Sequence, residues 1–99
     1  MTPQEAKSIM DSGEAFVLVD VRSLAEFQSG HIRNAQVLPV ETIQEKAAGS
    51  LPDKDAKILV YCASGARSAN AASILTRLGY TDVHNFGGLM QWPYSDMIV

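Results

Sequence analysis

Lys57-Ile58-Leu59-Val60-Tyr61-Cys62-Ala63-Ser64-Gly65-Ala66-Arg67-Ser68 runs from a β-prone segment through a loop of small residues into a helix. The run from Lys57 to Tyr61 is the most apolar strand candidate in the chain, as expected for a strand covered on both faces. From Ala66 to Leu78, the residues Ala71, Ile74, Leu75 and Leu78 fall at i, i+3, i+4 and i+7, which predicts a helix with one buried face. Gly79 is a suitable stop for it.

The same alternation extends outward in both directions. Thr2, Pro3 and Glu5 combine a hydroxyl cap, a first-turn proline and a carboxylate three residues after the cap. Ala6, Ile9 and Met10 mark that helix's inner face, and Gly13 closes it. Phe16 to Val21 reads as a strand. Ser23 and Glu26 repeat the capping spacing ahead of a short helix ending near Gly30. Ala35 to Val40 reads as a second strand, limited by Pro39 to an end or an edge. Thr42 and Glu45 predict another cap, for a helix stopping at Gly49, and Leu51 to Asp55 reads as a polar turn. Thr81 to Phe86 is the last strand, and Gly87-Gly88 turns into a short helical stretch over 89–92. Strands separated by helices predict an α/β fold, a small parallel sheet flanked by helices on both faces. Ligands in such folds bind beyond the carboxyl ends of the strands, where Cys62 falls.

Composition narrows the function. Ninety-nine residues provide one core, so residues 1–99 are expected to form a single domain. An apolar share of 46% with 19% charged residues excludes wholesale disorder. Eight basic against eleven acidic residues give a net charge of −3, which argues against a nucleic-acid binder. No apolar run approaches the roughly 20 residues of a membrane span. Met1 to Glu5 lacks a basic start and an apolar core, so no signal peptide is read and a cytoplasmic location is expected. One cysteine excludes an internal disulfide, and with His31 and His84 it makes no metal site at a familiar spacing.

A lone cysteine is often just a small buried side chain. Here its surroundings favour chemistry. Ala63, Ser64, Gly65 and Ala66 carry so little bulk that the backbone can wrap around the sulfur. Their N–H groups would form an anion-binding nest at the positive end of the next helix. Arg67 would add a fixed cation. Cysteines in such settings show pKa values of about 3.5–7.5, against about 8.5 when free. Cys62 is therefore the candidate nucleophile.

The chain resembles the rhodanese family of sulfurtransferases. Asp20-Val21-Arg22 with Glu26-Phe27 and Gly30-His31-Ile32 resembles the family's N-terminal signature, and Tyr61 to Ser68 its active-site loop. Gly79-Tyr80, Val83 to Phe86, Gly87-Gly88 and Trp92 resemble its C-terminal signature. The resemblance implies a thiosulfate sulfurtransferase needing no metal or organic cofactor. Cys62 would take a sulfane sulfur from a small anionic donor such as thiosulfate and hold it as a persulfide. A thiophilic acceptor, cyanide or a small or protein-borne thiol, would then receive it. The N–H groups of Ala63, Ser64, Gly65, Ala66, Arg67 and Ser68 would cradle the added sulfur. Four residues separate Cys62 from Arg67, whereas the related tyrosine phosphatases have five, and the shorter loop suits one added sulfur better than a phosphoryl group. Arg67 is the loop's only charged side chain, so persulfidic thiols are alternative donors to thiosulfate. A second reading from the same fold is a sulfur-carrier or protein-interaction module with little turnover of its own.

Three residues are expected to support the loop. Asp20 either bonds loop or helix-start amides, holding the cradle open, or caps a nearby turn. Arg22 and Glu26 are expected to pair across one helical turn, with Glu26 also available to the Ser23 capping box. Ser68 is expected to cap the helix after the loop, and Ser64 to touch substrate or simply form the turn. His31 is read as a packing residue in a Gly-His-Ile corner, His84 has no expected partner, and Trp92 and Tyr94 are read as core or rim packing.

Overall fold

The alternation of strand β3, Ile58–Cys62, separates two hydrophobic layers, because successive side chains point to opposite faces of a sheet. All five of its residues are buried. Ile58, Val60 and Cys62 join Val19, Val21, Ile43, Ala47, Ala71 and Leu75 on one face, while Leu59 and Tyr61 join Ala6, Leu18, Ile32, Phe86 and Trp92 on the other. The computed structural model describes all residues, Met1–Val99.

The other strands are β1, Val17–Asp20, β2, Gln36–Val37, and β4, Val83–Gly88. They form one parallel sheet in the order β2-β1-β3-β4. Helix α1, Pro3–Asp11, supplies Ala6 to one face, and α3, Ile43–Ser50, and α4, Ala66–Arg77, cover the other. Helix α2, Leu24–Gln28, lies between β1 and β2 in the chain. The expected α/β architecture with helices on both faces is the one observed. No helix is long and apolar enough to cross a membrane.

Local signals set most element starts. Thr2 with Glu5, and Ser23 with Glu26, form complete capping boxes. Thr42 does not: its hydroxyl donates to the Pro39 carbonyl at 2.7 Å. A 3-10 turn over Val40–Thr42 leads directly into α3, so Thr42 already has helical backbone angles and its side chain is not placed to cap. That turn also shortens β2 to two residues, as Val40 N–H leaves the ladder for the Val21 carbonyl. Leu51, expected in a polar turn, is buried, and its carbonyl accepts the Tyr80 hydroxyl at 2.6 Å. Strand β4 ends two residues later than expected because Gly87 and Gly88 stay in it, across a register shift opposite Val60 and Cys62.

The register gathers the site. Asp20 is opposite Tyr61, and Cys62 is opposite Gly88, so three strand ends meet at the carboxyl edge of the sheet.

Candidate active site

Cys62 ends β3 with its side chain on the α3/α4 face, directly before the loop that starts α4. It is 1% exposed. The loop folds back over the sulfur, and the Gly65 N–H donates to Sγ at 2.9 Å. Gly65 makes this turn possible: its φ of 108° is left-handed, which favours a residue without Cβ. Gly88 is required for a different reason. A Cβ there would lie 2.1 Å from the Ala63 carbonyl oxygen, so the β4 backbone presses against the loop as only glycine allows. The Met90 N–H then donates to that carbonyl at 3.0 Å.

Ser68 is not the helix cap. Gly65 holds the cap position, and Ser68, one turn into the helix, is fully buried with its hydroxyl beneath the sulfur. Its Oγ lies 3.4 Å from Sγ, 2.7 Å from Asn85 Oδ1 and 3.1 Å from the Gly65 and Gly87 carbonyl oxygens. A serine hydroxyl has one proton to donate. With Cys62 as a thiol, the sulfur donates to Ser68 and Ser68 donates to Asn85. With a thiolate, the Ser68 proton can turn to the sulfur instead. Burial pushes the Cys62 thiol up, but the Ser68 hydroxyl and the N–H groups of Ser68, Gly65 and Ser64 outweigh it and hold the pKa below its ordinary value.

Asn85 was not visible as a site residue in the sequence. Its Oδ1 also accepts the Gly87 N–H at 2.9 Å, a side chain bonding backbone two residues on. The available signal was Asn85-Phe86-Gly87-Gly88 itself, an asparagine followed by turn glycines at a strand end.

The charged residues pair differently from expectation. Arg22 does not meet Glu26. It precedes the Ser23 cap and so lies off the α2 face, and its guanidinium closes back on Asp20 at 2.7 Å and on the Gly30 carbonyl at 2.6 Å. Of the two expectations for Asp20 the turn cap is the one observed: its carboxylate accepts the Arg22 N–H two residues on, together with the Arg22 guanidinium, and not loop or α4 amides. Glu26 pairs with Arg67 instead, through two bonds of 2.7 and 2.9 Å. Arg67 and then the Ser23 backbone hold Glu26 down at a pKa of about 2. Arg67 is thus not a free cation over the sulfur, and the backbone and Ser68 carry the stabilisation. Ala63, Ser64 and Ala66 contribute backbone to the loop.

The histidines lie elsewhere. His31 stacks on Phe27 with centroids 3.7 Å apart, its Nδ1 donates to the Phe27 carbonyl, and its backbone exchanges hydrogen bonds with Val99. His84 has a partner after all, in Asp82. Trp92 packs between Phe86 and Tyr94 in the second layer.

Comparison with known proteins agrees with the geometry. The rhodanese-like domain matches residues 2–93. The Escherichia coli K12 protein named thiosulfate sulfurtransferase PspE is 39% identical over 71 residues, which cover 72% of this chain and 68% of that one. The structure described as human single-domain sulfurtransferase TSTD1 superposes with a TM-score of 0.82 at 28% identity, over 93% of this chain and 92% of the other. A longer Mycobacterium tuberculosis protein (strain CDC 1551 / Oshkosh), "Probable adenylyltransferase/sulfurtransferase MoeZ", is 34% identical over 93 residues, which is 93% of this chain and about a quarter of that protein, 24%. With a thiol cradled at the end of a parallel strand and matches of this extent, the chain belongs to the rhodanese-like family and is a sulfurtransferase of the rhodanese type.

Proposed function

We propose that Cys62 carries a sulfane sulfur, as a persulfide, from thiosulfate to a thiophilic acceptor such as cyanide or a thiol. The observation that carries this is the Gly65 N–H at 2.9 Å from Sγ, in a loop whose other amides also favour the anionic sulfur. The thiolate would attack the outer sulfur of thiosulfate, forming the Cys62 S–S bond while the donor's S–S bond breaks and its electron pair leaves with sulfite. Cyanide would then take the terminal sulfur as thiocyanate and restore the thiolate. Ala63 to Ser68 would hold the persulfide through their backbone, with Arg67 and Glu26 fixing the first turn of α4. Asp20, at the end of β1, and Arg22 just beyond it would support the same sheet edge. The proposed location is the cytoplasm, where a free thiol such as Cys62 would be kept reduced.

The sulfur-carrier reading is favoured by one observation, the match to about a quarter of a longer sulfurtransferase, 24% of its length. Intact mass before and after thiosulfate, followed by a cyanide chase, separates the two. A gain of one sulfur, released as thiocyanate over repeated cycles and absent in Cys62→Ser, supports the enzyme. A persulfide that forms but is not turned over supports the carrier. No gain from thiosulfate or from a persulfide donor overturns both.

A further inference from the structure

Four charges stand around the carboxyl ends of β1 and β3, and they form two ion pairs: Asp20 with Arg22, and Glu26 with Arg67. Each pair is neutral in sum. The first is buried, with side-chain exposures of 0% and 7%. The second is open, with both side chains about two-fifths exposed, 38% and 40%. Arg67 stands in the first turn of α4 directly before Ser68, whose Oγ lies 3.4 Å from Cys62 Sγ, so the open pair adjoins the sulfur's loop. An anion approaching the sulfur therefore meets the Arg67 cation together with the carboxylate that masks it.

We infer that Glu26 is a specificity-determining residue that sets the donor's charge: by masking Arg67 it disfavours dianions such as thiosulfate relative to singly charged or neutral sulfane-sulfur donors. The inference rests on the persulfide reading above and deepens it. Coulomb energy scales with the charge of the incoming group, so one carboxylate opposes a dianion about twice as strongly as a monoanion. The loop amides also attract an anion in proportion to its charge, but they are the same in wild type and Glu26→Gln, so the comparison isolates the carboxylate's share. Glu26 makes no hydrogen bond to Cys62, and Glu26→Gln keeps a side-chain oxygen for Arg67, so the substitution removes the charge with the least change to the first turn of α4.

The test uses donors of one chemistry and different charge. Thiosulfate, a dianion, loses sulfite; methanethiosulfonate, a monoanion, loses methanesulfinate; both leave one sulfur on the thiolate, and charge balances in each step. Glu26→Gln retains the Ser23 capping box, since glutamine also serves at that position. The kcat/KM ratio of thiosulfate to methanethiosulfonate should rise about three- to tenfold in Glu26→Gln at low salt and fall back as salt screens the field. Arg67→Gln should shift it the other way. An unchanged ratio in Glu26→Gln, with sulfur still transferred, overturns the inference and leaves the persulfide reading standing. Alkylation of Cys62 by iodoacetate against iodoacetamide gives a readout that needs no sulfur transfer. Its ratio should rise in Glu26→Gln by a similar factor. If neither donor labels any variant, the persulfide reading fails, and the alkylation ratio alone decides whether Glu26 screens Cys62 from anions: no change overturns that as well.

Discussion

The guanidinium of Arg67 is bound by the carboxylate of Glu26 through two hydrogen bonds of 2.7 and 2.9 Å, which tie the first turn of α4 to α2 across 41 residues of sequence. That tie has a defined pH window. Glu26 is lowered from 4.5 to about 2, first by Arg67 and then by the Ser23 backbone. A carboxyl with a depressed folded pKa stabilises the fold fully above its unfolded pKa and loses that contribution as pH falls through the folded one. Both side chains are more than a third exposed, so the contribution is about 0.5–1 kcal/mol. The stability difference between wild type and Glu26→Gln should be constant above about pH 5.5, shrink as pH falls below the unfolded pKa of 4.5, and be mostly lost by about pH 2 in urea titrations. A difference that persists unchanged at pH 2 contradicts this pairing.

The buried pair behaves differently. Asp20 is fully buried and its carboxylate is held by Arg22. Arg22→Ala leaves that charge without its partner and should cost about 3–5 kcal/mol, several times the loss from Arg67→Ala. Equal losses in the two variants, measured by urea unfolding, would contradict the assignment of one pair as buried and the other as open.

Gly88→Ala should be among the most damaging substitutions in the chain. Its Cβ would meet backbone, the Ala63 carbonyl oxygen at 2.1 Å and Ser64 N at 2.6 Å, with no flexible side chain to yield. We expect a loss of about 3 kcal/mol or more together with slower Cys62 alkylation, because the displaced backbone is the sulfur's cradle. Gly49→Ala is the control: nothing lies within 4 Å of its Cβ and it sits in α3, so stability should rise by about 0.5–1 kcal/mol. Thermal unfolding of the two variants checks both signs.

The elements that depend on neighbouring residues were legible in the sequence, and the pairings that depend on the sheet were not. Thr2 with Glu5 caps α1 as its spacing says. Thr42 with Glu45 has the same letters and no cap, because the chain enters α3 from a 3-10 turn held by Pro39 and Val21. Cys62 and its loop stood out because strand, small residues and helix are consecutive. Glu26 and Arg67 meet only once α2 and α4 are placed by the parallel order, whereas along the sequence Arg22 is the nearer partner. Ser68 and Asn85 are 17 residues apart and come together because β4 lies beside β3.

Ser68 predicts how the thiol titrates. Its hydroxyl is the first of the groups that lower the Cys62 pKa against burial. Ser68→Ala removes that donor while the Gly65 N–H remains, so the pKa should rise but stay subject to the backbone. At pH 7, iodoacetamide alkylation should slow about three- to tenfold, with the rate recovering at higher pH as thiolate forms. Slowing to the same degree at every pH would instead indicate altered access to the sulfur.

Asn85 tests whether the Ser68 proton is shared. Asn85→Asp keeps an oxygen for the Gly87 N–H and for the Ser68 hydroxyl, so the turn at the end of β4 should persist. The added carboxylate acts on the thiolate in two ways. It repels the charge on sulfur directly, and it holds the Ser68 proton more strongly, since a hydrogen bond to an ionised acceptor is about twice as strong as to a neutral one. Both effects raise the Cys62 pKa. The folded-state cysteine then ionises later, so sulfur uptake at neutral pH should fall tenfold or more, by about 1.4 kcal/mol of lost preference for thiolate, and recover as pH rises. Asn85→Ala removes the nearest competing acceptor, leaving the Gly65 and Gly87 carbonyl oxygens at 3.1 Å, so the Ser68 proton turns to the sulfur more often while the Gly87 N–H loses its partner; stability should fall and the thiol pKa should drop. Opposite pKa shifts in the two variants, read from the pH dependence of alkylation, are the expected signature, and shifts of the same sign and size would place the Ser68 proton outside the control of Asn85.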